Sequence, residues 1–235
     1  MKQYVGRILE FRLEPGGGHS PRIACPPRAV PQPGQYLLAD SPTDSESLVS
    51  TVIYPQHILD DGLVAAPTDR RFPDPDWTLG SSLILRGPLG KGFRLPAKLR
   101  NLALAAAGDS AARLLPLLKS AGSVALFTNA PLPDLPAEVE IQPLDGLAEG
   151  LSWADYLALD LPGTPDSGLR FLGDLRAALK LDERMPLPCP GQALLAGPMP
   201  CGGVADCGIC AVRARRGHRL ACKDGPVFAL NELSF

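Results

Sequence analysis

The chain has 235 residues, of which 45% are hydrophobic and 20% charged, and its formal net charge is −2. This balance is typical of a globular protein with a buried core, and it gives no reason to expect nucleic acid or an anionic membrane as partner. No run approaches the roughly 18 apolar residues of a membrane span. Residues 1–7 carry charge where a secretory signal has its apolar core, so a cytoplasmic location is expected.

Short strand-like segments separated by glycine and proline occupy the first part of the chain. Loose apolar alternation marks the strand candidates, at residues 3–13, 21–25, 35–39, 48–54 and 82–86. The whole chain holds 26 prolines and 24 glycines, which favours many turns over long helices. This pattern predicts a small antiparallel β-barrel over residues 1–97.

Strand and helix patterns alternate in the second part of the chain. Apolar runs typical of buried parallel strands lie at residues 102–107, 123–128, 139–141 and 192–196. Helices are predicted at residues 110–120, 152–159 and 169–180. The alternation predicts a small doubly wound α/β domain over residues 98–198, followed by a third segment at 199–235. The predicted fold class is therefore α+β and multidomain.

Four of the six cysteines crowd the third segment. They are Cys201, Cys207, Cys210 and Cys222, with the spacing C-x5-C-x2-C-x11-C. A [2Fe–2S] cluster takes four thiolates, and the plant-type spacing C-x4-C-x2-C…C differs from this one by a single residue in the first gap. The glycines at 202, 203 and 208 would let the backbone wrap closely and direct N–H groups at sulfur. The four cysteines are therefore predicted to ligate a [2Fe–2S] cluster.

Other uses of these thiols stay open at this point. Zinc would use the Cys207/Cys210 pair, with His218 as a further ligand, although only one C-x2-C pair is present. Structural disulfides are less expected in a cytoplasmic protein. The remaining cysteines, Cys25 and Cys189, each lie beside proline and are predicted to be ordinary packed or half-exposed thiols.

The run CKDGPVF, residues 222–228, is the most specific signal in the chain. With the upstream cysteine loop it resembles the electron-transfer subunit of NAD-linked, heteromeric dihydroorotate dehydrogenases, within the ferredoxin–NADP reductase superfamily. The resemblance implies a flavin-binding barrel, a nucleotide-binding α/β domain and a C-terminal [2Fe–2S] loop, in the order predicted above. It also implies a hetero-oligomer with the catalytic flavoprotein subunit, and a chain that is not catalytic alone.

A second matching piece is GPLGKGF, residues 87–93, which is similar to the family signature GPLGNGF. In the family this signature helps to seat FAD, and the resemblance implies FAD contacts here at Gly87, Pro88, Leu89, Gly90 and Gly92. The same glycines would also suit a simple interdomain turn. Residues 33–36, PGQY, are similar to the family's PGQF strand start and are predicted to be structural.

Two family features are altered in this chain. Residues 50–54, STVIY, contain no arginine where the family's Arg-x-x-Ser strand grips the flavin pyrophosphate, which weakens the case for FAD. The cations that would replace it are Arg70, Arg71 and Arg86. Residues 105–110, AAAGDS, keep one glycine of the family's GGGxG-like loop, and Asp109 places negative charge where a phosphate would approach. The sequence predicts weak or absent NAD(P)H binding.

Two functional hypotheses follow. In the first, the chain relays electrons between a partner oxidoreductase, such as the dihydroorotate dehydrogenase catalytic subunit, and another carrier. In the second, a degenerate reductase fold serves as a structural or assembly subunit with a redox-silent metal, or as a paralogue in another redox complex. Basic residues lie between the third and fourth ligands and would either dock an acidic partner or form a solvated hairpin tip: Arg213, Arg215, Arg216, His218 and Arg219.

Overall fold

The computed structural model describes residues 2–42, 49–67, 77–162, 164–182 and 185–234. The first large sheet is antiparallel and follows the order β4-β3-β7-β1-β2-β6-β5. Its strands are β1 (Gln3–Leu13), β2 (His19–Ala24), β3 (Tyr36–Asp40), β4 (Thr51–Ile53), β5 (Pro55–Leu59), β6 (Gly62–Ala65) and β7 (Ser82–Leu89).

This sheet curls around its own core. Ile53 of β4 and Leu63 of β6 come from opposite ends of the strand order, yet they pack in one buried cluster with Ile8 and Leu85. Such contact requires the sheet to fold over, as the predicted barrel does. A register shift in β1 between Ile8 and Glu10 is the kind of irregularity that bends a strand.

The second large sheet has the order β10-β9-β8-β11-β12-β15. Its first five strands pair in parallel, and β15 pairs antiparallel with β12. The strands are β8 (Asn101–Ala106), β9 (Ser123–Thr128), β10 (Val139–Gln142), β11 (Tyr156–Pro162), β12 (Gly191–Ala196) and β15 (Val227–Ala229). The apolar runs of β8 and β11 are buried throughout, as expected for central parallel strands.

Helices are few and short in this structure. Helix α1 spans Leu147–Gly150, α2 spans Pro165–Ala178 and α3 spans Ala221–Asp224. The N-terminus of α2 is capped by Thr164, whose hydroxyl accepts a hydrogen bond from the backbone N–H of Ser167. In the part of the chain that the structure describes, no helix has the length and apolar character of a membrane span.

Two predicted helices were wrong. The helix expected at residues 152–159 is absent, and its second half, residues 156–159, begins β11, because these residues pair with β8 and β12 and tertiary pairing outweighs local helix propensity. The helix expected at 110–120 is a 3₁₀ segment over Ala112–Leu117, since Pro116 inside it lacks an N–H.

The C-terminal segment is packed into both preceding parts of the chain. Its elements are β13 (Ala211–Ala214), β14 (Gly217–Leu220), α3 and β15. One buried cluster joins Cys210 and Cys222 of this segment to Tyr36 of the barrel and Leu157 of the parallel sheet. The residues on the two sides of the predicted boundary at residue 198 therefore share one buried core.

Candidate iron–sulfur centre

The loop after β12 is coiled by left-handed backbone conformations. Gly202, Gly203 and Gly208 have φ values of 62°, 76° and 71°, and Ala205 has a φ of 65°. Glycine adopts this region without a steric penalty, whereas other residues rarely do. Successive positive φ values turn the chain back on itself, which brings Cys207 to the side chain of Cys201.

Backbone N–H groups converge on the sulfur of Cys201. The pKa of this thiol is lowered to about 6, chiefly because the N–H of Asp206 donates to it, with further donation from Cys207 and Ala205. Donors aimed at sulfur stabilise the thiolate, which is the form that binds iron. The loop is therefore shaped to hold an anionic sulfur at this position.

The other two predicted ligands meet at the base of a hairpin. Strands β13 and β14 pair antiparallel, and the N–H of Ala221 donates to the carbonyl of Cys210 at 2.9 Å. This closure places the buried side chains of Cys210 and Cys222 in contact. Burial raises the pKa of the Cys222 thiol to about 12, and its hydrogen bond to Cys210 acts in the same direction.

Side-chain contacts join Cys201 to Cys207 and Cys210 to Cys222, and the two sets are close enough that Cys201 also raises the pKa of Cys222. Among the residues that the structure describes, no three or more His, Cys, Asp or Glu side chains form a group that could hold a single metal ion. A binuclear cluster divides its ligands between two irons. The paired thiols and the donors to Cys201 fit such a cluster better than a mononuclear site.

Tyr36 of the barrel reaches into this centre. Its hydroxyl donates to the carbonyl of Cys222 at 3.3 Å, and a Cβ added at Gly203 would lie 3.0 Å from the same hydroxyl. Burial raises the pKa of Tyr36, and the neighbouring Cys222, Cys210 and Cys201 raise it further. The PGQY motif was predicted to be structural, and the tyrosine in place of the family's phenylalanine is the signal that could have marked Tyr36 as a contact of this centre.

A polar group at the carboxyl edge of the parallel sheet extends from this centre. The ring centroids of Tyr36 and Tyr54 are 6.0 Å apart, and the Arg113 guanidinium lies 5.9 Å from the Tyr54 centroid. Within the described ranges of the chain, the buried hydroxyl of Tyr54 has no hydrogen-bond partner. Arg113 in turn donates through Nε to both carboxylate oxygens of the fully buried Asp160, at 3.0 and 2.8 Å.

The glycine-rich motif at 87–93 lies where three parts of the chain meet. A Cβ on Gly90 would lie 2.4 Å from Pro226 Cδ, and one on Gly92 would lie 2.6 Å from the Pro33 carbonyl oxygen. The N–H of Lys91 donates to the carbonyl of Gly225 at 2.6 Å. These contacts explain the small residues by close protein packing, and a role for Gly87, Pro88, Leu89, Gly90 and Gly92 in binding FAD stays a prediction.

Arg86, one of the three arginines considered as a replacement phosphate clamp, is already paired. Arg86 donates to Asp40 at 3.0 Å and also to Ser50. Its guanidinium charge is compensated by that carboxylate, so it does not fit the part of a free pyrophosphate clamp. The two other candidates, Arg70 and Arg71, lie outside the described residues.

The remaining predicted residues are separate from the centre. Cys25 and Cys189 are buried, and burial raises the pKa of each thiol to about 11. They are ordinary packed thiols, as predicted. His218, the alternative zinc ligand, is exposed on β14 opposite Arg213.

Comparison with known proteins bears on this cysteine-rich segment directly. Residues 198–234 match the family model of the iron–sulfur cluster binding domain of dihydroorotate dehydrogenase B. The match covers this segment and does not extend to the two preceding parts of the chain. The cluster-binding domain contains all four predicted ligands, the basic hairpin and the CKDGPVF run. No curated protein matches the chain.

Solved structures share the fold of the whole chain. An NADH-dependent reduced ferredoxin-NADP oxidoreductase, studied for flavin-based electron bifurcation, aligns with a TM-score of 0.66 and 15% identity over 97% of this chain and 89% of its own. The ferredoxin reductase in carbazole 1,9a-dioxygenase aligns with a TM-score of 0.59 and 14% identity, over 83% and 68%. A ferredoxin NADP+ reductase from Neisseria gonorrhoeae with bound FAD and NADP aligns with a TM-score of 0.52 and 13% identity, over 84% of this chain and 99% of its own.

At these identities the likeness establishes the fold alone. The predicted ferredoxin reductase-like architecture is confirmed. Together with the cluster-binding domain, it confirms the resemblance to an electron-transfer subunit of the dihydroorotate dehydrogenase B type. An iron–sulfur cluster and an electron-transfer role are therefore supported.

Proposed function

We propose that this chain is an electron-transfer protein in which Cys201, Cys207, Cys210 and Cys222 hold a [2Fe–2S] cluster. The observation that carries the proposal is that Cys201 contacts Cys207 and Cys210 contacts Cys222, with Cys201 close enough to act on Cys222, inside the segment that matches the cluster-binding domain. Each iron of a binuclear cluster takes two protein ligands, whereas structural zinc takes four ligands around one ion. Two pairs match the first requirement.

The chain's own residues would hold and tune this group. When bound, a [2Fe–2S] cluster supplies one-electron redox chemistry. The backbone N–H groups of Asp206, Cys207 and Ala205 stabilise negative charge on Cys201. Tyr36 fixes the backbone of the fourth ligand, Cys222, against the barrel. The second pair is buried, whereas Cys207 is exposed, so the first pair faces the surface at which electrons would enter or leave.

The partner follows from the domain family. We infer that the chain serves a catalytic flavoprotein subunit of the dihydroorotate dehydrogenase type, within a hetero-oligomer of pyrimidine biosynthesis. The support is the match of residues 198–234 to the cluster-binding domain of that enzyme class. A paralogue that serves another oxidoreductase is the alternative partner arrangement.

The candidate flavin and nicotinamide contacts are either engaged with or opposed by this chain's own residues. The motif glycines at 90 and 92 pack against protein, and Arg86 is paired with Asp40. Asp109 is exposed directly after the carboxyl end of β8, where it would oppose a dinucleotide phosphate. These observations favour a protein, rather than NAD(P)H, as the source of electrons.

The test is the metal content of the native chain. After anaerobic purification, iron, acid-labile sulfide, zinc and flavin are assayed, and reduced samples are examined by electron paramagnetic resonance. Two irons and two sulfides per chain, with a signal on one-electron reduction, are expected. One zinc per chain and no redox signal would instead favour the structural or assembly subunit.

Ligand variants make the same test specific to residues. Cys207→Ser and Cys222→Ser each remove one thiolate from a different pair and are expected to abolish the reduced-state signal. Cys25→Ala is the matched control, because Cys25 is buried in the barrel core and outside the centre. Full iron retention in Cys207→Ser and Cys222→Ser would contradict the ligand assignment.

A further inference from the structure

Positive charge is concentrated in one short stretch of the cluster-binding domain. Residues 213–224 include five cationic side chains and one carboxylate. This is a local excess of four positive charges in a chain whose net charge is −2. Arg213, Arg216, Arg219 and Lys223 are exposed, and in the described part of the chain none of them forms an ion pair. The single carboxylate, Asp224, accepts a hydrogen bond from the Leu220 N–H at 2.9 Å.

Apolar side chains lie exposed in the ligand loop that precedes this stretch. Val204 is 64% exposed and Ile209 is 56% exposed, and both flank the exposed ligand Cys207 in the sequence. Large apolar groups at the surface gain from being covered, and a covered apolar centre with a charged rim is the usual form of a protein–protein interface.

The hairpin that carries the cations begins and ends next to the ligand loop that carries Val204 and Ile209. The hairpin leaves the loop directly after Cys210 and returns directly before Cys222, and the Ala221 N–H to Cys210 carbonyl hydrogen bond closes its base. Each strand has four residues, so its tip lies about 13 Å from that base at roughly 3.3 Å per residue. The tip therefore lies beyond the screening length of about 8–10 Å in physiological salt, whereas Arg213 and Arg219, nearer the base, lie within about that length.

We propose that Val204, Cys207, Ile209 and the hairpin at residues 211–220 form a docking surface for an acidic electron-carrier protein. The carrier's carboxylates would lie against Arg213, Arg216 and Arg219, and its apolar centre would cover Val204 and Ile209. In the encounter the carrier and the redox centre of this chain exchange one electron, and no bond or proton is exchanged. The proposal rests on the electron-transfer function above.

The experiment uses the iron-loaded full chain and an acidic [2Fe–2S] ferredoxin as the probe. Stopped-flow rates of electron exchange are measured from low to high salt for the native chain and for Arg216→Glu/Arg219→Glu. The variant is expected to slow exchange by about tenfold at low salt, with the difference lost near 1 M salt, because rim charges act mainly on association. Basic cytochrome c is the second probe and should show the opposite change.

The matched control is Lys98→Glu/Lys119→Glu, which makes the same change in formal charge at exposed sites preceding β8 and β9. Its exchange rate should stay within about twofold of the native rate. A chain that binds no iron refutes the proposed function itself. The docking surface is refuted if the iron-loaded variant exchanges electrons with ferredoxin at the native rate. It is also refuted if the only effect of the variant is weaker binding to duplex DNA.

Discussion

At the scale of single residues, the centre depends on a side chain contributed from far away in the sequence. Tyr36 belongs to β3 of the barrel, but its hydroxyl bonds to the carbonyl of Cys222, 186 positions later in the chain. The hydroxyl also lies against the ligand loop at Gly203. One phenol therefore contacts both the loop that carries the first ligand and the helix that carries the fourth.

Tyr36→Phe removes this hydroxyl and keeps the ring. The buried Cys222 carbonyl then loses its donor, which should lower the free energy of unfolding by about 1 kcal/mol. Iron release to a chelator should also become faster, because the fourth ligand is held less firmly. Urea unfolding and chelator kinetics measure the two effects.

Tyr4→Phe is the control for this change. Tyr4 also lies in the barrel and packs against its core, but among the residues that the structure describes its hydroxyl has no hydrogen bond to the iron–sulfur centre. Its removal should leave both iron release and unfolding nearly unchanged. If Tyr36→Phe releases iron at the native rate, the hydroxyl does not position the ligand.

At the scale of elements, short loops and hairpins determine where the sulfurs lie. The ligand loop uses left-handed residues to coil, and the hairpin β13–β14 brings the fourth cysteine back to the third. These features are local, so the sequence pattern predicted them well. The central strand β11 was mistaken for a helix because its character comes from pairing with β8 and β12, which no local pattern shows.

Gly203→Ala tests the ligand loop. The residue has a φ of 76°, and its new Cβ would lie 3.0 Å from the Tyr36 hydroxyl. Backbone strain of about 1 kcal/mol combines with crowding at the centre. Iron bound per chain should fall clearly below the native value, as measured by colorimetric assay.

Gly217→Ala separates strain from crowding. Gly217 has a similar φ of 78°, but nothing lies within 4 Å of a Cβ at this position. The variant should lose about the same stability from strain and keep its iron. Equal iron loss in both variants would show that the contact with Tyr36 is irrelevant.

At the scale of the whole molecule, a buried ion pair helps to join the barrel to the parallel sheet. Asp160 is fully buried on β11, and Arg113 reaches it from the 3₁₀ segment Ala112–Leu117, which packs against β5. Burial raises the pKa of Asp160, and the charge and hydrogen bonds of Arg113 lower it. The same guanidinium lies over the ring of Tyr54 in the barrel.

Arg113→Met leaves the Asp160 carboxylate buried without its counter-charge. Loss of one partner of a buried pair costs about 3–5 kcal/mol of unfolding free energy. With Arg113 gone, burial raises the folded pKa of Asp160 further above its unfolded value. Such a carboxyl stabilises the fold below the unfolded pKa and loses that contribution as the pH rises through the folded pKa. The deficit should therefore be largest near neutral pH and shrink on acidification.

Urea unfolding of the native and variant chains at several pH values measures this deficit. The double variant Arg113→Met/Asp160→Asn should recover part of the lost stability, because the unpaired charge is gone. A deficit that is the same at pH 5 and pH 8, with no recovery in the double variant, would show that the pair carries no electrostatic coupling.

The sequence by itself determined the chemistry of the centre. The relevant features are local: four closely spaced cysteines, the glycines between them and the CKDGPVF run. Local features can be recognised directly in the amino-acid sequence. They predicted the cluster-binding domain, the order of the three parts of the chain and the ferredoxin reductase-like fold.

Only the tertiary structure decided how these parts meet. The contact of Tyr36 with Cys222 and the ion pair of Arg113 with Asp160 join residues distant in sequence. Such contacts form because sheet pairing and core packing bring separate segments together, and neither spacing nor periodicity encodes which segments will touch. The candidate ligands could be proposed from the sequence, but their neighbours could not.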